Sequence, residues 1–249
     1  MKDFWQERGW LIAIFIIASA SVYFIHYLIF RDVHHIFIYM IGDLGFLFLD
    51  VILVVIVIEQ LLKQREKRNR LDKLNMLISA FFSEVGNGFL QHLANLIENK
   101  ETLREKVLFH SGWQKQDFRR AVREIKSLPV NISLDADKLE HLRHFLLPRQ
   151  DFLLSLLANP SLLEHEAFTN LLWAIFHLAE ELALRPEEMD DLPLSDLSHL
   201  NNDVGRVVTL LLEAWLNYAA HLKERYPFLF SLAVRINPFA VSPTPIVNQ

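Results

Sequence analysis

The residues of this chain that could do chemistry are acids, histidines and tyrosines: there are 30 Asp and Glu, 11 His and no Cys. Without Cys, thiolate metal sites, Cys nucleophiles and disulfides are excluded. The sharpest constellation lies inside an apolar run, Ile36 to Ile58. Tyr39, Asp43 and Asp50 are spaced by four and seven residues there, which puts them on one face of a helix. Each carboxylate placed within a bilayer costs at least ~2.5–3.5 kcal/mol on insertion scales, so it must be met by a partner or a wet cavity. Two chemistries follow. The favoured one is structural: protonated or hydrogen-bonded acids that specify helix association. The other is a cation channel or proton pathway, in which repeated copies form rings of Asp.

Elsewhere the chemistry is thinner. His141 and His144 are three apart on one helical face, with Asp137 and Glu140 beside them. They are a candidate pair for a metal, but zinc takes three or four ligands and no Glu-x-x-His repeat supplies the rest. His165, His177, His199 and His221 stand singly and read as packing residues. Glu180-Glu181, Glu187-Glu188 and Asp190-Asp191 lack calcium-loop spacing. Phosphate loops, dinucleotide fingerprints, the nucleophile elbow and H-E-x-x-H are absent from the sequence, and only 7 Gly are present. No cofactor is expected and no enzyme is expected.

The elements that must position these residues begin with two apolar spans. Leu11 to Phe30 carries no Asp, Glu, Lys or Arg, which predicts a first transmembrane helix over about 11–30. Ala18-Ser19-Ala20 resembles a signal-cleavage site, but the strongly apolar VYFIHYLIF follows it, against the pattern of a cleaved leader. The run from Ile36 would rise about 34 Å as a helix, enough for a hydrocarbon core of about 30 Å, and predicts a second span over about 36–58. The five-residue connector Arg31–His35 makes the spans an antiparallel hairpin, residues 1–62. Folding that hairpin sets Asp43 opposite Tyr23 and near His26. Tyr23, His26, Tyr39, Asp43 and Asp50 form the expected intramembrane polar stripe. Gly42 and Gly45 leave room for another helix, and copies are expected to self-associate through the hairpin.

Residues 63–82 read as a basic juxtamembrane continuation of the second span. Lys63, Arg65, Lys67, Arg68, Arg70 and Lys73 face only two acids over the same stretch. Such a cluster stays cytoplasmic and meets lipid headgroups, which puts both termini in the cytoplasm. From Asp72 onward 17 Lys and Arg stand against 23 Asp and Glu. That acidic balance gives no reason to expect a nucleic-acid partner. Residues 83–237 show helical apolar spacing throughout and predict one cytoplasmic bundle centred on Leu162–Leu184 and Val204–Leu222. Gly86 and Gly88 are expected to end the preceding helix, Ser161 and Glu164 to form a capping box, and Pro148 to kink or break Asp135–Leu157. Residues 238–249 are a Pro-rich tail.

The segments IGDLGFLFLDVILVVIVIEQLLKQREK and HLKERYPFLFSLAVRINPF resemble an uncharacterised family of bacterial two-helix inner-membrane proteins, over nearly the whole chain. The resemblance implies a bacterial inner membrane and carries no activity. The expectation is therefore an all-α membrane protein, homo-oligomeric, whose cytoplasmic helical domain binds a protein partner, senses or scaffolds.

Overall fold

The computed structural model describes residues 2–163, 165–186, 189 and 192–247, with backbone alone for 2–8 and 163. Among these the fold is all-α, and the one extended pairing is an isolated antiparallel bridge between Ile97 and Ile132. The chain divides into two compact units, Met1–Arg68 and Asn69–Gln249.

In the first unit, α1 (Lys2–Phe30) starts well before the expected Leu11, since nothing between them breaks a helix except Gly9. α2 runs Val33–Phe81, 49 residues without interruption, so its last turns belong to the second unit. The connector is Arg31-Asp32 rather than five residues. Asp32 shortens it by capping α2: its Oδ1 accepts from the backbone N–H of His34 at 2.9 Å and of His35 at 3.4 Å. Arg31 sits in the left-handed region, φ 50°, and its N–H closes onto the Tyr27 carbonyl at 2.8 Å, a helix-ending geometry that Gly more often supplies. The apolar windows of both helices are long enough to cross a membrane, and none of their residues is buried.

The second unit is built on α10 (Leu194–Arg225). Its buried Leu200, Val204, Val207, Val208, Leu211, Leu212, Trp215 and Leu216 recur at three- and four-residue steps. That broad stripe packs against α9 (Glu166–Leu184) on one side and α5 (Lys115–Ser127) on the other. α3 (Asn87–Ala94), α4 (Lys100–Val107), α6 (Ala136–Leu146), α7 (Gln150–Leu157), the single turn α8 (Pro160–Leu163) and α11 (Pro227–Arg235) complete it. Pro148 sits in a 3-10 turn, Leu147–Arg149, that separates α6 from α7. Asn99 pins the extended stretch after α5: its Nδ2 donates to the Pro129 carbonyl and its Oδ1 accepts from the Asn131 N–H. The buried Asn237 holds the tail by donating to the Val107 carbonyl and accepting from the Phe239 N–H.

Two sequence expectations need correction. Gly86 and Gly88 do not stop the helix. A π turn, Phe82–Gly86, leads from α2 directly into α3, and the adjacent Phe81 and Phe82 are both fully buried there. Phe81 packs edge-on against Phe168, and Phe82 stacks on Tyr218. Gly86 is required for the close approach of these rings rather than as a breaker. The second correction is that one helix does not run from Leu162 to Leu184. His165 interrupts it: its Nδ1 accepts from the Phe168 N–H and caps α9. The capping box proposed for Ser161 included Glu164, which lies outside the described residues.

A Cβ on Gly86 would lie 2.6 Å from Phe82 Cδ1 and 2.8 Å from Phe81 Cε1, and neither ring has free space to yield into. Gly86→Ala should therefore cost about 1–3 kcal/mol through overpacking. At Gly205, inside α10, the nearest atom would be 3.8 Å away. Gly205→Ala should gain about 0.5–1 kcal/mol of helix stability. Unfolding midpoints of the two purified variants check both signs.

Candidate functional site

The first unit gathers its aromatic polar groups at the turn. His26 of α1 stacks on His35 of α2, ring centroids 5.7 Å apart, and Tyr39 meets His35 edge-on at 4.7 Å. His26 Nε2 and His35 Nδ1 are buried without a hydrogen-bond partner. Of the expected stripe the structure brings His26 beside Tyr39, together with the unforeseen His35. Tyr23 is exposed. Asp43 and Asp50 are exposed on α2 too, and neither makes a hydrogen bond or ion pair among the described residues. Around Gly42 and Gly45 nothing approaches within 4 Å of where a Cβ would stand. Lys63, Arg65, Lys67, Arg68, Arg70 and Lys73 lie exposed along α2, with Lys63 paired to Glu59 at 2.6 Å.

In the second unit the candidate pair His141 and His144 does not converge on one point. His141 Nδ1 binds the Asp137 carbonyl of its own helix at 2.6 Å, and His144 Nε2 lies 3.4 Å from Glu140. The acids Glu187, Glu188, Asp190 and Asp191 lie outside the described residues.

The structure instead assembles a cluster from residues that looked solitary. His177 and Glu181 stand four apart on α9, and His199 and Asp203 four apart on α10, so each pair shares a helical face. Packing of α9 on α10 turns the two faces together. His177 Nε2 lies 3.8 Å from Glu181 Oε1 and 3.7 Å from Asp203 Oδ2. His199 Nε2 lies 3.8 Å from Glu181 Oε2 and 3.4 Å from Asp203 Oδ2. These gaps are too wide for direct hydrogen bonds of normal length. The imidazoles are about half exposed, whereas the Asp203 side chain is only 6% exposed and its Oδ2 has no hydrogen-bond partner. As the side chains stand, no three His, Asp or Glu among the described residues form a ready coordination sphere.

Arginines hold the outer oxygens of this cluster. Arg185, just past α9, donates to Glu181 Oε2 at 2.6 Å and forks onto both oxygens of Asp196 at 2.7 and 2.9 Å. Its Nη1 also reaches the Glu181 carbonyl, closing the end of α9. Arg206 Nη1 lies 3.5 Å from Asp203 Oδ1. The Arg185 hydrogen bonds hold the carboxyls of Glu181 and Asp196 below the usual range, and the hydrogen bond to Asp196 raises Arg185 in turn. Sequence reading sought His pairs within one helix. The signal it passed over was two His-acid pairs of four-residue spacing on consecutive helices.

Residues 70–235 match the family model described as "Uncharacterized protein MJ1433, C-terminal helical domain", and residues 2–62 match "MJ1433, N-terminal helical domain". Among curated proteins, "Uncharacterized protein MJ1433" of Methanocaldococcus jannaschii is 42% identical over 224 residues, 90% of each chain. No solved structure matches. The resemblance to an uncharacterised helical family thus stands at the level of the family; its bacterial part has no support, because this relative is archaeal.

Folded, Glu181 and Asp196 bind protons less readily than in the unfolded chain. Their contribution to stability is complete above the ordinary carboxyl values of 4.5 and 3.8 and is lost as pH falls through the lowered folded values. Arg185→Gln should cost about 1–2 kcal/mol at pH 7. Its deficit relative to the parent should shrink as the carboxyls protonate. Denaturant unfolding at neutral and acid pH checks this, and an equal deficit at both contradicts it.

Proposed function

The chain belongs to the family of Uncharacterized protein MJ1433, and from that premise we propose an integral membrane protein whose α1–α2 hairpin spans the bilayer, self-associates and carries a helical binding or sensing module. The observation that supports this reading most is that the apolar windows of α1 and α2 have no buried residue. In water, apolar surface on that scale far exceeds the few hundred Å² that soluble monomers leave in one patch. In hydrocarbon the same surface is what the solvent requires, and helices satisfy their backbone groups internally. The basic collar, Lys63 to Lys73, belongs on the cytoplasmic side, which places both termini and the helical module there.

Self-association follows from Asp43 and Asp50. Among the described residues of one chain neither acid has a partner, and a hairpin cannot enclose a whole helical face. A second copy supplies cover, and the open space beside Gly42 and Gly45 admits its backbone. A non-enzymatic role fits a chain whose described residues bring together no nucleophile, base and orienter.

The protein should remain in the membrane pellet after alkaline carbonate washing and migrate in mild detergent as more than one chain. Release into the soluble fraction, or a strictly monomeric mass, overturns the proposal. Asp43→Asn with Asp50→Asn should preserve the oligomer. Cation or proton flux in vesicles that this double variant abolishes would establish the pathway reading in place of a purely structural one.

A further inference from the structure

We propose that His177, Glu181, His199 and Asp203 bind a divalent transition-metal ion of the Zn²⁺ class between α9 and α10. The inference concerns the second unit alone and does not depend on the membrane reading.

Three observations carry it. The first is spacing. Donors around a tetrahedral ion with bonds of about 2.0–2.1 Å stand about 3.3–3.5 Å apart. Among the nominated donors, His177 Nε2 stands 3.8 Å from Glu181 Oε1 and 3.7 Å from Asp203 Oδ2, and His199 Nε2 stands 3.4 Å from Asp203 Oδ2. These three gaps lie within a few tenths of an ångström of that spacing, and the half-exposed imidazoles are free to turn toward an ion. The second is the buried carboxylate. Asp203 Oδ2 is withdrawn from water, makes no hydrogen bond and points between two imidazole Nε2 atoms. Leaving such an oxygen unpaired is costly, and a cation satisfies it. The third is outer-shell support. Arg185 holds Glu181 Oε2 and Arg206 approaches Asp203 Oδ1, so Glu181 Oε1 and Asp203 Oδ2 remain for the ion.

The donor set selects the ion. Two imidazoles and two carboxylates suit first-row divalent transition metals better than Mg²⁺ or Ca²⁺, which prefer all-oxygen shells. With neutral imidazoles, Glu181, Asp196 and Asp203 outweigh Arg185 and Arg206 by one negative charge, so the site attracts a cation. The half-exposed imidazoles leave an open route from solvent.

The test uses the full chain in detergent, stripped with a chelator and titrated with ZnCl₂ by calorimetry. Binding of one ion per chain is expected, and CoCl₂ should give the intense visible absorption of tetrahedral Co²⁺. His177→Ala with His199→Ala, and separately Asp203→Asn, should weaken binding at least about tenfold, the loss that even an outer-shell change produces. His141→Ala with His144→Ala should leave it unchanged. Saturating ZnCl₂ should also raise the unfolding midpoint of the parent but not of the His177/His199 variant, as expected for a ligand of the folded state. Circular dichroism confirms that each variant is folded. Binding that survives loss of His177 and His199, or no stoichiometric binding by the parent, overturns the proposal.

Discussion

The packing of α9 on α10 fixes most of the second unit. α10 presents apolar residues over a wide arc, so helices on both sides can bury against it at once. Its inner stripe from Leu200 to Leu222 serves α9, α5, α3 and α11 together. A helix used in this way has little solvent face left, and Asp203 on it is only 5% exposed. A carboxylate so placed constrains what surrounds it. Two imidazoles and Arg206 face it at 3.7, 3.4 and 3.5 Å, near enough for electrostatic attraction and too far for hydrogen bonds of normal length.

The hairpin obeys a different constraint. Its helices are apolar on nearly every side, and a helix of that kind cannot be satisfied by one neighbour. Ring contacts between α1 and α2 gather at the turn, through His26, Phe30, His35 and Tyr39. Beyond that point the side chains face outward. Where the helices sit close, polar groups without hydrogen-bond partners lie between them, and where Asp43 and Asp50 stand, the chain offers no cover. The proposed membrane hairpin, with further copies beside it, is the reading that would meet both conditions at once.

The aromatic cluster at the π turn shows how one local deviation serves packing. Phe81 and Phe82, neighbours in the chain, are both fully buried where α2 passes into the π turn. Phe82, the first residue of the turn, stacks on Tyr218, while Phe81 meets Phe168 edge-on. Gly86 is the small residue that leaves room for both rings.

Much of the architecture was legible in the amino-acid sequence because it depends on local patterns. Apolar length marked the two long N-terminal helices, helical apolar spacing marked most of α9 and α10, and Pro148 marked the break between α6 and α7. Two errors came from residues whose local meaning was ambiguous: Gly86, which reads as a breaker and acts as a packing gap, and His165, which reads as a helix interior and acts as a cap. The candidate site lay beyond local reading altogether. His177 and Glu181 are separated from His199 and Asp203 by a loop and two helix turns, and nothing in either stretch encodes the other. Periodicity determines which residues share a face, because that follows from the 3.6-residue repeat; which face meets which is decided only when α9 and α10 bury their apolar stripes against each other.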